Sequence, residues 1–173
     1  MRQERYDEGI ALLKHAAEIV PLESTVHAYL GYAYAKTGRP AEAREAYETA
    51  VRLRPADARL AMELGGVLAQ LGLKTDAEAR FREAVRRDPE LANAWLLLGT
   101  LLHDQGRFAE AEAPLERAAA RLLHDPDALT AWGVNLADLG RRDEAIATLR
   151  KAVQLNPGFE RARAELERIE AAK

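Results

Sequence analysis

The stretch LGYAYAKTGRPAEAREAY, Leu30 to Tyr47, decides the fold because its landmarks return at a fixed step. Gly31, Gly65, Gly99 and Gly133 are each 34 residues apart, and so are Gly38, Gly72, Gly106 and Gly140. Ala43, Ala77, Ala111 and Ala145 keep the same interval, as do Ala50, Ala84, Ala118 and Ala152. A bulky apolar residue, Tyr47, Phe81, Leu115 or Leu149, stands four residues after the first alanine of each set. Pro55, Pro89 and Pro157 close three of the four units. Self-similarity at this period marks an array of one supersecondary unit, stacked because no copy can bury its apolar face alone.

Within one unit, His27, Leu30, Gly31 and Tyr34 follow the i, i+3, i+4, i+7 spacing of a single helix face. Gly38 supplies the left-handed residue that ends this first helix. A second helix opens at Pro40, tolerated at the first helical position, and carries Ala43, Tyr47 and Ala50 on one face until Pro55. In the second unit, Thr75 and Glu78 have the spacing of a capping box. Each unit therefore reads as a helical hairpin. Gly31 and Ala43 let its two helices approach closely, and a larger side chain at either place would cost about 1 to 3 kcal/mol in overpacking.

Composition agrees. Of 173 residues, 48% are hydrophobic but only 6% aromatic, so alanine dominates a core of closely packed helices and sheet is not expected. A formal net charge of -3, with both signs well mixed, offers no basic field for a nucleic acid. The absence of cysteine excludes disulfides and thiolate metal sites. Nothing approaches the ~20 apolar residues of a membrane span. Alanine richness, arginine favoured over lysine and no targeting signal suggest a bacterial, cytoplasmic protein.

The 34-residue step, with Leu-Gly, a second Gly, Ala, a bulky apolar residue, Ala and Pro in order, resembles the tetratricopeptide repeat family. Trp95, Leu98, Gly99, Leu102, Gly106, Ala111 and Ala118 carry the pattern in the third unit. Trp132, Gly133, Leu136, Gly140, Ala145, Leu149, Ala152 and Pro157 carry it in the fourth. The resemblance implies an all-α fold, a right-handed α-solenoid of antiparallel helix hairpins. Residues 1–23 read as an N-terminal half repeat holding a second helix only, followed by repeats at 24–57, 58–91, 92–125 and 126–159 and a C-terminal capping helix at 160–173. The half repeat, with Gly9, Leu13, Ala16 and Pro21 in register, belongs to a longer array, forms a natural cap, or pairs with another chain. At the other end Leu166 is kept, but Glu167 replaces the glycine, and the charges suit a solvated terminal helix. The third unit has Leu123 where the closing proline belongs and a proline only at Pro126, which predicts a longer second helix, gently kinked at Pro114.

No catalytic motif is present. The histidines, His15, His27, His103 and His124, lack metal-ligand spacing, and there is no P-loop, GxSxG or GxGxxG, so no metal, no cofactor and no enzymatic activity are expected. Glu and Asp alternate with Arg as solvated i,i+4 partners. Function is then to be sought on the helix faces that the core leaves over. At about 100° per residue, four positions of each first helix fall roughly 80 to 180° from its core positions: three before, one after, four after and five after the glycine.

In the family this stripe lines a concave peptide-binding groove. Here it comprises Ala28, Tyr32, Ala35 and Lys36; Met62, Gly66, Ala69 and Gln70; Leu96, Thr100, His103 and Asp104; and Thr130, Val134, Ala137 and Asp138. Neighbouring first helices hide part of it, chiefly the alanines, whereas Tyr32, Met62 and Leu96 read as ligand contacts. Lys36 and Arg59 toward one end, with Asp104, Asp127 and Asp138 toward the other, would orient a partner by charge. Two family specialisations are missing. The carboxylate clamp of the chaperone-binding members would need Lys at Ala28 and Asn at Tyr32, and the asparagine ladder of the glycosyltransferase arrays would need Asn at Tyr29, Glu63, Leu97 and Ala131. The resemblance implies a non-catalytic protein-protein interaction scaffold whose groove binds a peptide or amphipathic helix of another protein. The alternatives are the substrate-recognition array of a larger enzyme, or a homo-oligomer assembled through an open helical face near Ile10 and Leu13.

Overall fold

The structure is a computed structural model, which describes residues 2–171, with side chains from Arg5 onward. Ten α-helices and no strand occur among these residues. They are α1 (Arg2–Ile19), α2 (Ser24–Lys36), α3 (Pro40–Leu53), α4 (Ala58–Gln70), α5 (Lys74–Arg87), α6 (Ala92–His103), α7 (Phe108–Arg121), α8 (Pro126–Asp138), α9 (Arg142–Leu155) and α10 (Glu160–Ala171). The chain forms two compact units, Met1–Pro89 and Glu90–Lys173. In the first, α2 pairs with α3 and α4 with α5, α3 meets α4, and α1 lies against α2. In the second, α6 pairs with α7 and α8 with α9, α7 meets α8, and α10 packs on α9 and α8.

Each hairpin is made by the same turn. Gly38, Gly72, Gly106 and Gly140 have φ between 71° and 78°, the left-handed region that a residue with a Cβ rarely enters. That conformation turns the next amide back onto the finished helix: Arg39 N donates to the Tyr34 carbonyl at 2.9 Å, Leu73 to Leu68 at 2.9 Å, Arg107 to Leu102 at 3.0 Å and Arg141 to Leu136 at 2.9 Å. These bonds satisfy carbonyls that the helix end leaves open.

The opposite ends are capped less uniformly. Asp57 accepts from Arg59 N and Leu60 N, Asp125 from Asp127 N, and Glu23 from Thr25 N. The capping box at Thr75 and Glu78 does not form, because α5 starts at Lys74 and Thr75 is already inside it; Leu73 stands at the cap without a side-chain bond. Nor is α7 longer than its counterparts, since α3, α5, α7 and α9 all have 14 residues. Pro126 is the first residue of α8 rather than a late closing proline. A residue before proline is steered away from helical backbone, so Asp125 becomes the cap of α8 and the chain turns before it, with Asp125 N donating to Leu122 O. Helix α7 runs unbroken through the buried Pro114.

The small residues sit where the helices cross. A Cβ built on Gly31 would lie 2.6 Å from the Tyr47 ring, on Gly65 2.7 Å from Phe81, on Gly99 2.5 Å from Leu115 and on Gly133 2.7 Å from Leu149. The bulky residue of each second helix therefore occupies the volume its partner's glycine vacates. The flanking alanines Ala43, Ala50, Ala77, Ala84, Ala111, Ala118, Ala145 and Ala152 are fully buried. At the N-terminal end, Gly9 has nothing within 4 Å of its Cβ position, while Leu12, Ile19 and Leu22 are exposed. Ile10, assigned to an open face from the sequence, is instead 4% exposed: α1 turns it inward, and α2 is the helix it packs against. At the C-terminal end, Ala162 and Ile169 are buried and Glu167 faces solvent; Arg150 binds the Glu170 carboxylate at 2.6 Å.

Candidate functional site

The stripe differs between the units. In the first, α2 presents Ala28, Tyr32, Ala35 and Lys36, and α4 presents Arg59, Met62, Gly66, Ala69 and Gln70. Tyr32 is 46% exposed, Lys36, Arg59 and Gln70 are exposed, and the rest are half-buried. Gly66 leaves open space, with nothing within 4 Å of its Cβ position. The Lys36 ammonium lies 5.3 Å from the centre of the Tyr32 ring, within cation–π range. Tyr29, one turn before Tyr32 and off the predicted stripe, is 60% exposed and widens the aromatic surface.

Beneath these residues is chemistry that the spacing argument does not select. Tyr47 is 3% exposed, its ring seated against Gly31. Burial pushes its phenol well above the ordinary tyrosine range, and the neighbouring Glu63 and Tyr32 add to the effect. Glu63 retains exposed surface, yet desolvation also raises its carboxyl above the usual carboxylate range; the positive charge of Lys36 opposes that rise.

In the second unit the stripe is closed at two positions of α8. Thr130 has no exposed surface and donates its hydroxyl to the Pro126 carbonyl, and Val134 is buried at 9%. Leu96, Thr100 and His103 are half-buried, and Asp104 is exposed. His103 Nε2 is 2.8 Å from Asp138 Oδ2, joining α6 to α8, and the imidazole also lies 5.1 Å from the Phe108 ring, centre to centre. Thr100, His103 and Val134 come together with Leu115, Ala131 and Arg161 around a space of about 10 Å³, scarcely room for one water. The sequence places these residues on one face but shows neither the bond between the two hairpins nor the approach of Arg161.

A separate, open depression of about 750 Å³ in the first unit is lined by charged side chains of α3 and α5, including Glu48, Asp76, Arg80, Glu83 and Arg86, over Leu64 and Leu68. None of its lining residues belongs to the stripe. Arg80 and Arg87 bind Glu83, and Arg44 binds Glu48, so much of this charge is paired locally. Among the described residues, no three His, Cys, Asp or Glu side chains are grouped to hold a metal ion, and no helix is long and apolar enough to cross a membrane.

Comparison with known proteins places this geometry in context. The family model described as the cilia and flagella-associated protein 70 C-terminal domain matches residues 2–173. Among solved structures, YrrB, described as a TPR protein with an unusual peptide-binding site, is 23% identical, with a TM-score of 0.79 over 95% of this chain and 84% of that one. MamA from Desulfovibrio magneticus RS-1 is 21% identical, with a TM-score of 0.79 over 85% of this chain and 83% of that one. TTC0263, a thermophilic TPR protein of Thermus thermophilus, is 25% identical, with a TM-score of 0.74 over 96% of this chain and 91% of that one. No curated protein matches the sequence.

Proposed function

The chain belongs to the tetratricopeptide-repeat proteins, in the family of the cilia and flagella-associated protein 70 C-terminal domain, and from that premise we propose that it is a non-catalytic scaffold whose stripe binds a peptide or helix of another protein. One observation carries the reading: α2 exposes Tyr29, Tyr32 and Lys36, and α4 of the same unit carries open space at Gly66 and the half-buried Met62 together with the exposed Arg59 and Gln70. Apolar surface with a polar rim is the usual mark of a binding site. YrrB, whose fold this chain shares, carries a peptide-binding site by its description. Three or four anchors at ~1.5 to 3 kcal/mol each, less the cost of ordering the ligand, correspond to affinities around micromolar. Leu96, Thr100, His103, Asp104 and Asp138 offer a second, smaller contact surface on the other unit, and Thr130 and Val134 act as its support. The test is selection from a random-peptide display library on the intact chain. Binding should be lost with Tyr32→Glu plus Met62→Glu and kept with Arg86→Glu in the separate depression. Peptides indifferent to the paired substitution would refute the reading.

A second reading is self-association through the N-terminal half repeat, favoured by Leu12, Ile19 and Leu22, which are 73%, 67% and 81% exposed. Light scattering of Leu12→Glu plus Ile19→Glu against the parent chain tests it, and equal masses would end it.

A further inference from the structure

We propose that α1 is a self-complementary pairing surface that takes α1 of a second copy of this chain in antiparallel contact, with Leu13 of each copy seated in the space left at Gly9 of the other. The inference rests on the self-association reading above and supplies its geometry.

The hairpins provide the template. Tyr47, Phe81, Leu115 and Leu149 each fill the volume vacated by a glycine on the paired helix, where a Cβ would lie 2.5 to 2.7 Å from the bulky side chain. Helix α1 stands one 34-residue step before α3, so Gly9, Leu12, Leu13 and Ala16 correspond to Ala43, Ala46, Tyr47 and Ala50. All four of those residues of α3 are buried. On α1 the same face is open: Leu12 is 73% exposed, Leu13 and Ala16 are half-buried, and nothing lies within 4 Å of a Cβ placed on Gly9. Ile19, two turns after Leu12 and also exposed, continues the apolar surface.

One helix therefore carries both halves of the contact that the array uses between two. Gly9 and Leu13 are four residues apart, about 6 Å along the helix axis, on the same side. When two copies of α1 run antiparallel about a two-fold axis level with Ala11, each Leu13 comes opposite the other copy's Gly9, and the two Leu12 side chains meet beside the axis. Parallel contact sets leucine against leucine and leaves both glycines unfilled. The rim of the face discriminates in the same direction. Glu8 and His15 are exposed along the edge next to Leu12, and antiparallel order brings Glu8 of one copy beside His15 of the other, whereas parallel order sets Glu8 against Glu8. Helix α10, which ends the array, offers Leu13 no such seat, because Glu167 stands at the step of the hairpin glycines.

The test weighs two variants alone and together by sedimentation equilibrium. The parent chain should approach twice its mass of 19.1 kDa at about 100 μM. Gly9→Leu fills the seat and should weaken dimerisation at least about tenfold, since the symmetry repeats the clash. Its melting temperature, read at a dilution where the parent is monomeric, should stay at or above the parent's, because the monomer has room for the side chain. Leu13→Ala removes the knob and should weaken dimerisation by a similar factor. Mixed in equal amounts, the two variants should dimerise again: the native Leu13 of one meets the native Gly9 of the other, and the introduced leucine meets the introduced alanine. Tighter association of Gly9→Leu, a mixture no better than its components, or species larger than a dimer would each overturn the paired seat while leaving self-association in place. A parent chain that stays monomeric would overturn both and leave the peptide-binding reading untouched.

Discussion

The two units follow the same 34-residue pattern and put it to different use on their exposed faces. In the first, the stripe is open: a tyrosine is half in solvent, a glycine leaves space, and a lysine folds over the aromatic surface. In the second, some of the equivalent positions are taken up within the unit, with His103 of one hairpin bonded to Asp138 of the next and with Thr130 and Val134 buried. The repeat therefore sets where a side chain can point but not whether it remains available. Availability depends on whether a neighbouring hairpin supplies a partner.

The largest expected effect probes what the units share. Gly31→Ala and Gly99→Ala should both destabilise, because overpacking at about 1 to 3 kcal/mol exceeds the 0.5 to 1 kcal/mol or so that alanine gains in helix propensity. Gly99→Ala should cost more, since its Cβ would meet not only the Leu115 side chain at 2.5 Å but also the Leu115 backbone nitrogen at 3.1 Å, whereas the three atoms nearest a Cβ at Gly31 all belong to the Tyr47 ring. Urea denaturation of the two variants would reverse that order if the ring yields less readily than the backbone.

Next in size is Asn135, fully buried in α8, where the corresponding residues are Ala33, Val67 and Leu101. Its amide donates to the Phe108 carbonyl at 3.2 Å, but its Oδ1 has no partner. Asn135→Leu should stabilise by about 1 kcal/mol, because an unsatisfied buried oxygen costs more than one ordinary hydrogen bond returns. A loss of stability, read from the denaturation midpoint, would mean that the amide has a role the apolar counterparts do not.

Asp138→Asn tests the link that closes the second stripe. The pair is partly exposed, so the loss should be no more than about 1 kcal/mol, read from the denaturation midpoint. The smallest effect belongs to Glu63→Gln. A folded-state carboxyl pKa raised above its unfolded value means that stability falls as pH rises through the carboxylate range toward the raised value. Removing the charge should therefore raise the melting temperature slightly near neutral pH, and the gain should vanish below about pH 4. An unchanged difference across that range would detach the effect from the carboxyl.

Much of the fold is legible in the sequence because it depends on local and periodic signals. The turn glycines announce a positive φ, and the Gly31–Tyr47 contact follows from size complementarity at fixed offsets. The failures come where local cues compete. Thr75 has the right spacing for a cap, but the glycine turn already sets the cap two residues earlier, at Leu73; Pro126 reads as a misplaced stop and serves as a start. The candidate site is legible only as a set of faces. His103 and Asp138 both lie on them, yet their bond joins residues 35 positions apart, a register that depends on how two hairpins settle. Glu63 and Tyr47 escape a reading by spacing because one occupies a place tested only for asparagine and the other a place assigned to packing.

The four glycine turns also govern how such a chain comes apart. Each closes its hairpin with hydrogen bonds between residues only a few positions apart, so a hairpin can persist when its neighbour has opened. Amide protons should accordingly exchange in blocks, with α1 and α10 fastest and the helices inside each unit progressively slower, rather than in one concerted event. Damage at one end of the array would then be contained there instead of spreading through the molecule.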